Sequence, residues 1–420
     1  MADKVKKKYG CIGKKLTHSF SKEIHAKLAD YDYELIELSE DEIKPFFENK
    51  EFAAINVTIP YKQTVIPYLD AVSEIAKRIG SVNTVVNKNG KLYGYNTDYH
   101  GMKALIERTG VDIKGKKVLI LGTGGTSKTA RVVASDMGAD EILVVSRRKS
   151  DDYITYDEAG VFHTDADVII NTTPSGMYPD CESKPIDITP FERLNGVIDV
   201  VYNPLCTNLV LDAKERGIKA AGGLYMLVMQ AVVAAEKFLD TEIGEDIADS
   251  VFSDVLASKE NIVLTGMPGC GKSTVGRLIN LEDYEFIDTD EEIEKRWGCS
   301  TGKLIETKGE EYFRNIESEV VRDVSSKSGC IISTGGGAVL RAENVRYLKR
   351  NGKLFFIDAE LSRLRATKTR PLSNTEDKLA KLYSERLSIY KSTADVIVPD
   401  MSAPKAEAEY ILAKRMEKML

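Results

Sequence analysis

The sequence predicts an α/β protein in which nucleotide-type parallel sheets follow one another along the chain. Three observations carry that prediction. Short apolar runs alternate with amphipathic stretches almost throughout, the pattern of doubly wound sheets. Two glycine-rich turns, Gly122-Thr-Gly-Gly-Thr-Ser127 and Gly266-Met-Pro-Gly-Cys-Gly-Lys-Ser-Thr274, each follow an apolar run and open an amphipathic one. The 420 residues are enough for about three domains of ordinary size.

Taken in order, Tyr33-Glu-Leu-Ile-Glu-Leu38 and Ala54-Ile-Asn-Val-Thr58 read as strands, with a helix over 41–48 between them. Runs 82–87 and 91–95 flank Asn89-Gly90, a tight-hairpin signal. A helix over 99–108 leads into the buried-type strand before Gly122. Further strands are expected at 141–145, 167–171, 197–200 and 219–221, a parallel doubly wound set. Helices over 224–238 and 246–256 follow, and the polar stretch 257–261 reads as a linker. From Ile262 a second α/β domain runs to a terminal helix over 403–420 packed on its own core. The expected division is 1–100, completed by helices within 224–257, then 101–223, then 258–420. No internal repeat or low-complexity tract is present.

Composition narrows the function classes. A net charge of −7 argues against a bulk nucleic-acid or anionic-membrane binder. No apolar run approaches a membrane span, and the charged N-terminal stretch lacks the apolar core of a signal peptide. The six cysteines are scattered without a C-x-x-C pair, which fits reduced thiols in a cytoplasm and argues against zinc. All four histidines lie in the first half, so chemistry beyond residue 258 proceeds without a histidine base.

The second glycine turn is the phosphate cradle G-x-x-x-x-G-K-S between strand and helix. Backbone N–H groups of Gly269, Cys270, Gly271 and Thr274 can converge on ATP phosphates. Lys272 can reach the β- and γ-phosphates, and Ser273 can hold Mg²⁺. The first turn, with Gly122, Gly124, Gly125, Thr126 and Ser127, matches a dinucleotide loop ending in serine. The next strand ends in Ser146, Arg147 and Arg148, where an NAD-preferring fold would place an acid. Guanidinium matches a 2′-phosphate, so NADP(H) is favoured over NAD(H).

Residues 9–240 resemble a shikimate dehydrogenase. The motifs that carry this are His18-Ser19-Phe-Ser21, Asn56-Val-Thr58-Ile-Pro-Tyr-Lys62, Ser81-Val-Asn83-Thr84 and Gly94-Tyr-Asn-Thr-Asp98. Beyond the glycine turn come Asn171-Thr-Thr-Pro-Ser-Gly-Met177, Asp199-Val-Val-Tyr202-Asn-Pro204 and Gly222-Gly223-Leu-Tyr-Met-Leu-Val-Met-Gln230-Ala231. The resemblance implies reversible reduction of 3-dehydroshikimate to shikimate with NADPH. It makes Lys62 and Asp98 the catalytic pair. Ser19, Ser21, Thr58, Asn83 and Gln230 become substrate contacts, with Tyr202 nearby, and Gly223 adjoins the cofactor. Lys22 follows the serine motif where the family often has proline. The stretch from Arg147 to Asn171 is short for the family, leaving little room for a full helix.

Residues 260–400 are similar to a shikimate kinase, through Phe286-Ile-Asp288-Thr-Asp290, Gly309-Glu-Glu-Tyr-Phe-Arg314-Asn-Ile-Glu317, Ser333-Thr-Gly335-Gly336-Gly337, Thr369-Arg370-Pro371-Leu372 and Arg386-Leu-Ser-Ile-Tyr390. This similarity implies that Asp290, Arg314, Gly335, Gly336, Gly337 and Arg386 surround shikimate, that Asp288 lies near the metal, and that Arg370 closes over ATP. Forked arginines suit a carboxylate, and Asp290 can take a proton from an attacking hydroxyl. Asp290 could equally be a helix N-cap.

The two resemblances together imply a bifunctional chain that makes shikimate and then phosphorylates its 3-hydroxyl, exchanging the intermediate through solution. Two alternatives stand beside this reading. One is a quinate-type dehydrogenase joined to another small-metabolite kinase. The other is a regulatory protein with one inactive half. Oligomeric state is left open by the sequence.

Overall fold

The apolar runs pair into three sheets. The computed structural model describes residues 8–16, 20–366, 372, 374–401, 403–415 and 417. The first sheet contains β1 (Lys8–Gly13), β2 (Tyr33–Glu37), β3 (Phe52–Val57), β4 (Ala71–Val72), β5 (Thr84–Lys88) and β6 (Lys91–Tyr95), ordered β2-β1-β3-β5-β6-β4. β1 pairs in parallel with β2 and β3, while β3, β5 and β6 run antiparallel. The β5–β6 turn has positive φ at both Asn89 (55°) and Gly90 (82°), which matches the twist of the flanking strands.

The second sheet is wholly parallel: β7 (Lys117–Leu121), β8 (Glu141–Ser146), β9 (Ile154–Thr155), β10 (Val168–Asn171), β11 (Gly196–Asp199) and β12 (Lys219–Ala221), ordered β12-β11-β10-β7-β8-β9. β7, β10 and β11 are apolar and almost entirely buried, as strands covered on both faces must be. The third sheet, also parallel, holds β13 (Asn261–Thr265), β14 (Glu285–Asp288), β15 (Cys330–Ser333), β16 (Gly352–Asp358) and β17 (Val396–Pro399), ordered β14-β15-β13-β16-β17. In both parallel sheets the strand before a glycine turn sits at the point where strand order reverses, and there the crevice beyond the strand ends takes ligands.

The chain divides into two units, Met1–Val255 and Leu256–Leu420. Within the first, helix Leu224–Leu239 joins the cores of both sheets. Its start, at Met226, packs with Met102 and Val118, and its end, at Ala234 and Phe238, packs with Cys11, Tyr33 and Ala54. The apolar length of this helix, with polar atoms confined to Gln230, Glu236 and Lys237 beside Tyr225, explains why it can be buried on two fronts. Its closest neighbour, helix Asp98–Thr109, approaches through Gly101, where a Cβ would meet the Met226 carbonyl at 2.5 Å.

Several expectations need adjustment. The stretch 257–261 is not a loose linker: helix Glu245–Lys259 runs through it, because nothing from Ala257 to Lys259 breaks a helix, and only Glu260 precedes β13. A seven-residue helix, Tyr156–Phe162, does fit between β8 and β10, started by reciprocal bonds between Thr155 and Glu158. In the helix after the phosphate loop, Lys272–Leu278, Val275 is buried with the following Ile279, whereas Leu278 is exposed. No helix among the described residues is long and apolar enough to cross a membrane.

Candidate active sites

Lys62 lies in the turn that leaves β3. That turn is pinned by the fully buried Tyr61, whose hydroxyl donates to Leu38 O at 2.6 Å, and by Val82 N–H, which donates to Lys62 O at 2.8 Å. Asp98 opens helix Asp98–Thr109, where the helix dipole favours a carboxylate. The two side chains meet, Lys62 Nζ donating to Asp98 Oδ2 at 2.5 Å. Asn83 spends both amide donors on neighbours, Asp98 Oδ1 at 2.8 Å and Thr97 Oγ1 at 3.0 Å. Its carbonyl accepts Thr97 N–H at 2.7 Å and the Thr84 hydroxyl at 3.1 Å. Behind it, Asn56 donates to Thr84 Oγ1 at 3.1 Å and accepts from Tyr33 at 2.7 Å. A buried polar chain therefore fixes the catalytic-type carboxylate from below, and a satisfied chain of this kind is rigid.

These groups line a cavity of about 500 Å³ together with Ser21, Thr58, Thr126, Tyr202, Gly223 and Gln230. Lys15, Cys11 and Asn56 also line it, and none of the three was singled out as a contact from the sequence. Ser19 lies outside the described residues. Gln230 Nε2 donates to Leu227 O at 2.9 Å. Tyr202 packs on Phe20 with ring centroids 5.2 Å apart, and burial raises its hydroxyl above the ordinary tyrosine value. Its strand-end turn is fixed by Asp199, which accepts from Asn171 Nδ2 at 2.9 Å, Val201 N–H at 3.0 Å and Thr207 Oγ1 at 2.7 Å. Burial pushes the Asp199 carboxyl up to about 6 against those bonds.

The dinucleotide-type turn stands at the ends of β7 and β8. Gly122 has φ 100°, and a Cβ there would lie 2.8 Å from Thr173 Cγ2. Gly124 caps helix Gly125–Asp136. Ser127 is buried in the first turn of that helix, and its N–H donates to Gly124 O at 3.1 Å. Ser146 accepts from Arg148 N–H at 3.2 Å. Lys149 is tied to Glu158, whereas the Arg147 and Arg148 side chains are exposed and form no ion pair among the described residues. Two free guanidiniums beyond the second strand fit a 2′-phosphate.

In the second unit the phosphate loop takes positive φ at Gly266 (148°), Gly269 (86°) and Gly271 (96°). Lys272 Nζ donates to Gly266 O at 2.8 Å and Met267 O at 3.0 Å, holding the loop closed on itself. The Cys270 side chain is buried behind the loop, so only its backbone can serve a nucleotide. Ser273 Oγ donates to Asp288 Oδ2 at 2.6 Å. These are two hard oxygens, the donor type Mg²⁺ takes when phosphates complete its shell. β14 ends at Asp288, which caps helix Thr289–Trp297 by accepting Asp290 and Glu291 N–H. Asp288 is thus the N-cap, not Asp290, and the strand ends at Asp288, so Asp290 already lies in the first turn of the helix.

Asp288 and Asp290 share a cavity of about 450 Å³ with Gly269, Gly271, Lys272, Ser273, Thr274, Arg314, Gly335, Gly336, Gly337 and Arg386. Arg370 lies outside the described residues. Arg314 donates to Glu317 at 2.6 Å and Glu310 at 3.0 Å, and Arg386 donates to Gly336 O at 3.0 Å. Tyr390 donates to the same carbonyl from one turn further along its helix. Glu317, whose other oxygen is buried without a hydrogen bond, went unnoticed as a site group although it sits one helical turn after Arg314. Burial, then the neighbouring Asp288 and Glu317, push the Asp290 carboxyl up to about 7.

The first unit therefore has the architecture of a Rossmann-type, dinucleotide-dependent dehydrogenase, and the second that of a P-loop kinase. Residues 11–85 match the family model for the shikimate dehydrogenase substrate binding domain, and residues 268–416 match that for shikimate kinase. A shikimate dehydrogenase (NADP(+)) of Clostridium perfringens is 36% identical over 267 residues, covering 59% of this chain and 98% of the relative. Shikimate dehydrogenase 1 from Peptoclostridium difficile superposes with a TM-score of 0.55 at 35% identity, over 59% of this chain and 97% of that one. The shikimate 5-dehydrogenase of Thermus thermophilus, solved in complex with NADP(H) and shikimate, gives 0.53 at 25% identity, over 59% and 99%. The chain belongs to the shikimate dehydrogenase family and carries a shikimate kinase domain at its C-terminal end.

Proposed function

We propose that the chain catalyses two consecutive reactions, reduction of 3-dehydroshikimate to shikimate with NADPH and phosphorylation of the shikimate 3-hydroxyl with Mg·ATP. One observation carries this reading. Every described residue that the family resemblance sets around the ring acid lines one of two cavities; the first also includes Thr126 of the dinucleotide-type turn, and the second Gly269, Gly271, Lys272, Ser273 and Thr274 of the phosphate loop. The activities belong to the two units separately, Met1–Val255 and Leu256–Leu420, with 101–223 of the first holding the dinucleotide.

In the first unit NADPH, when bound, supplies a hydride to the carbonyl carbon. The chain's own part is to manage the oxygen. The Lys62 ammonium donates a proton to that oxygen as negative charge builds on it, and Asp98, held by Asn83, keeps Lys62 aimed. Thr58, Ser21 and Gln230 orient the remaining polar groups of the ring. Arg147 and Arg148 hold the 2′-phosphate of the cofactor.

In the second unit Mg·ATP, when bound, supplies the phosphoryl group. Lys272 and the loop N–H groups hold the phosphates, and Ser273 with Asp288 would hold the metal. Arg314 and Arg386 grip the substrate carboxylate, while the glycines at 335–337 admit the ring close to the backbone. Asp290 accepts the proton of the attacking hydroxyl. One experiment tests the whole reading: the purified chain with 3-dehydroshikimate and NADPH, followed by ATP. NADPH oxidation should come first and ADP release only after it. Absence of either signal sinks the corresponding half, and faster turnover of quinate than shikimate in the reverse assay would reassign the first unit.

A further inference from the structure

Three charged side chains line the cavity of the first unit among the described residues: Lys15, Lys62 and Asp98. Lys62 and Asp98 neutralise one another at 2.5 Å. Cys11 remains a neutral thiol because burial pushes it up to about 12, and burial keeps Tyr202 a neutral phenol. The lining therefore carries one uncompensated charge, the Lys15 ammonium, which forms no ion pair or hydrogen bond among the described residues. Lys15 lies in the loop leaving β1, beside backbone that is firmly held: Leu16 N–H donates to Glu37 Oε1 at 2.8 Å, and Leu38 N–H donates to Gly13 O at 3.0 Å. Glu37, the acid against this loop, is thereby occupied by backbone.

We propose that Lys15 is the counter-charge for the carboxylate of the ring acid and makes this cavity select anionic substrates over their neutral esters. The proposal rests on the dehydrogenase reading above. Serine and threonine hydroxyls can hydrogen-bond a carboxylate or an ester carbonyl alike, so they discriminate poorly between the two. A fixed positive charge discriminates by Coulomb attraction alone. Lysine suits a cavity rim because its long stem brings a point charge to the ligand without demanding forked geometry. The carboxylate does not change its charge during hydride transfer, so attraction to it is equal in ground and transition states. Such uniform binding lowers KM and leaves kcat unchanged.

The test uses the full chain oxidising shikimate with NADP⁺, as wild type, Lys15→Ala and Lys15→Arg. Lys15→Ala should raise KM for shikimate about fivefold at low ionic strength, the upper range for an exposed ion pair, with kcat nearly unchanged. High salt should shrink the difference, since the pair is open to screening. Lys15→Arg should recover most of the loss. With methyl shikimate, wild type and Lys15→Ala should have the same KM. An unchanged KM for shikimate in Lys15→Ala overturns the proposal, and so does an equal loss with the methyl ester, which would mean a damaged loop rather than a lost charge. If the wild type oxidised neither compound, the dehydrogenase reading itself would fall and take the proposal with it.

Discussion

Lys62 and Lys272 are the two ammonium groups on which the proposed chemistries turn, and they lie in different units. Lys62→Ala should lower the reductase rate by about 10²–10⁴-fold, the usual range for removing a proton donor, and leave ADP release from added shikimate and ATP intact. Lys272→Ala should do the reverse. Parallel assays of both activities on each variant check this, and loss of both from either change would contradict it. A third residue, His25, contributes to acid stability. It is fully buried, stacked on Tyr33 at 4.0 Å and bonded through Nδ1 to Tyr31 at 2.6 Å. Burial holds it down to about 3, from an ordinary 6.5. The unfolded chain therefore binds this proton more tightly than the folded one. Its stabilising contribution is complete above pH 6.5 and is lost as pH falls toward 3, with a limiting slope of about 1.4 kcal/mol per unit. Asp199, raised to about 6 in the same unit, acts with the opposite sign as pH falls from 6 to 3.8. The His25 contribution is therefore read as the difference between wild type and His25→Phe in urea unfolding from pH 7 to 4. Wild type should lose stability relative to the variant as pH falls, and parallel profiles would contradict this.

Among the connecting elements, the glycine run after β15 is crowded by the charged side chains of the site. A Cβ at Gly335 would lie 2.7 Å from Glu317 Oε1 and 2.8 Å from Asp290 Oδ1, and one at Gly337 would overlap the Arg314 guanidinium. Gly337→Ala must displace the arginine that grips the carboxylate, so kinase kcat/KM should fall about a hundredfold, the cost of misplacing a substrate by roughly 1 Å. The reductase rate should not change, and steady-state assays of both steps on one preparation would decide the matter. The motif Ser333-Thr-Gly-Gly-Gly337 could be read from the chain, but its crowding could not. Glu317 and Asp290 are distant in sequence and meet only because helix Glu310–Ser325 and the turn after β14 converge on that run. The same limit applies to β14 itself, where two acids two residues apart were readable but the helix start between them was not.

The two-unit organisation makes its own prediction. Calorimetry of the full chain should resolve nucleotide-specific shifts: NADP⁺ raises the transition of Met1–Val255, and ADP raises that of Leu256–Leu420. At about 100 times the dissociation constant each nucleotide contributes about 2.7 kcal/mol to the unit that binds it. A single transition raised equally by both nucleotides would contradict separate sites. Helix Glu245–Lys259 bears on this organisation, because its last turn runs into the stretch whose polar composition reads as a short linker. Composition alone reported solubility of those residues, not whether their backbone was hydrogen-bonded.

Much of the fold is legible in the sequence alone. Strand–turn–helix order, the two glycine turns and the hairpin at Asn89-Gly90 are local properties, set by steric limits on φ and by hydrophobic period, and the chain writes such properties directly. So too were Lys62, Asp98, Arg314 and Arg386, because each sits inside a short motif. What required folding was everything that depends on through-space neighbours. Asn83 turned out to spend its amide on Asp98 and Thr97, Ser127 to be buried, and Lys15 to bring an unpaired charge to the cavity. Electrostatic and packing energies fall off with distance in space, not along the chain, so those facts came into being only when the sheets closed.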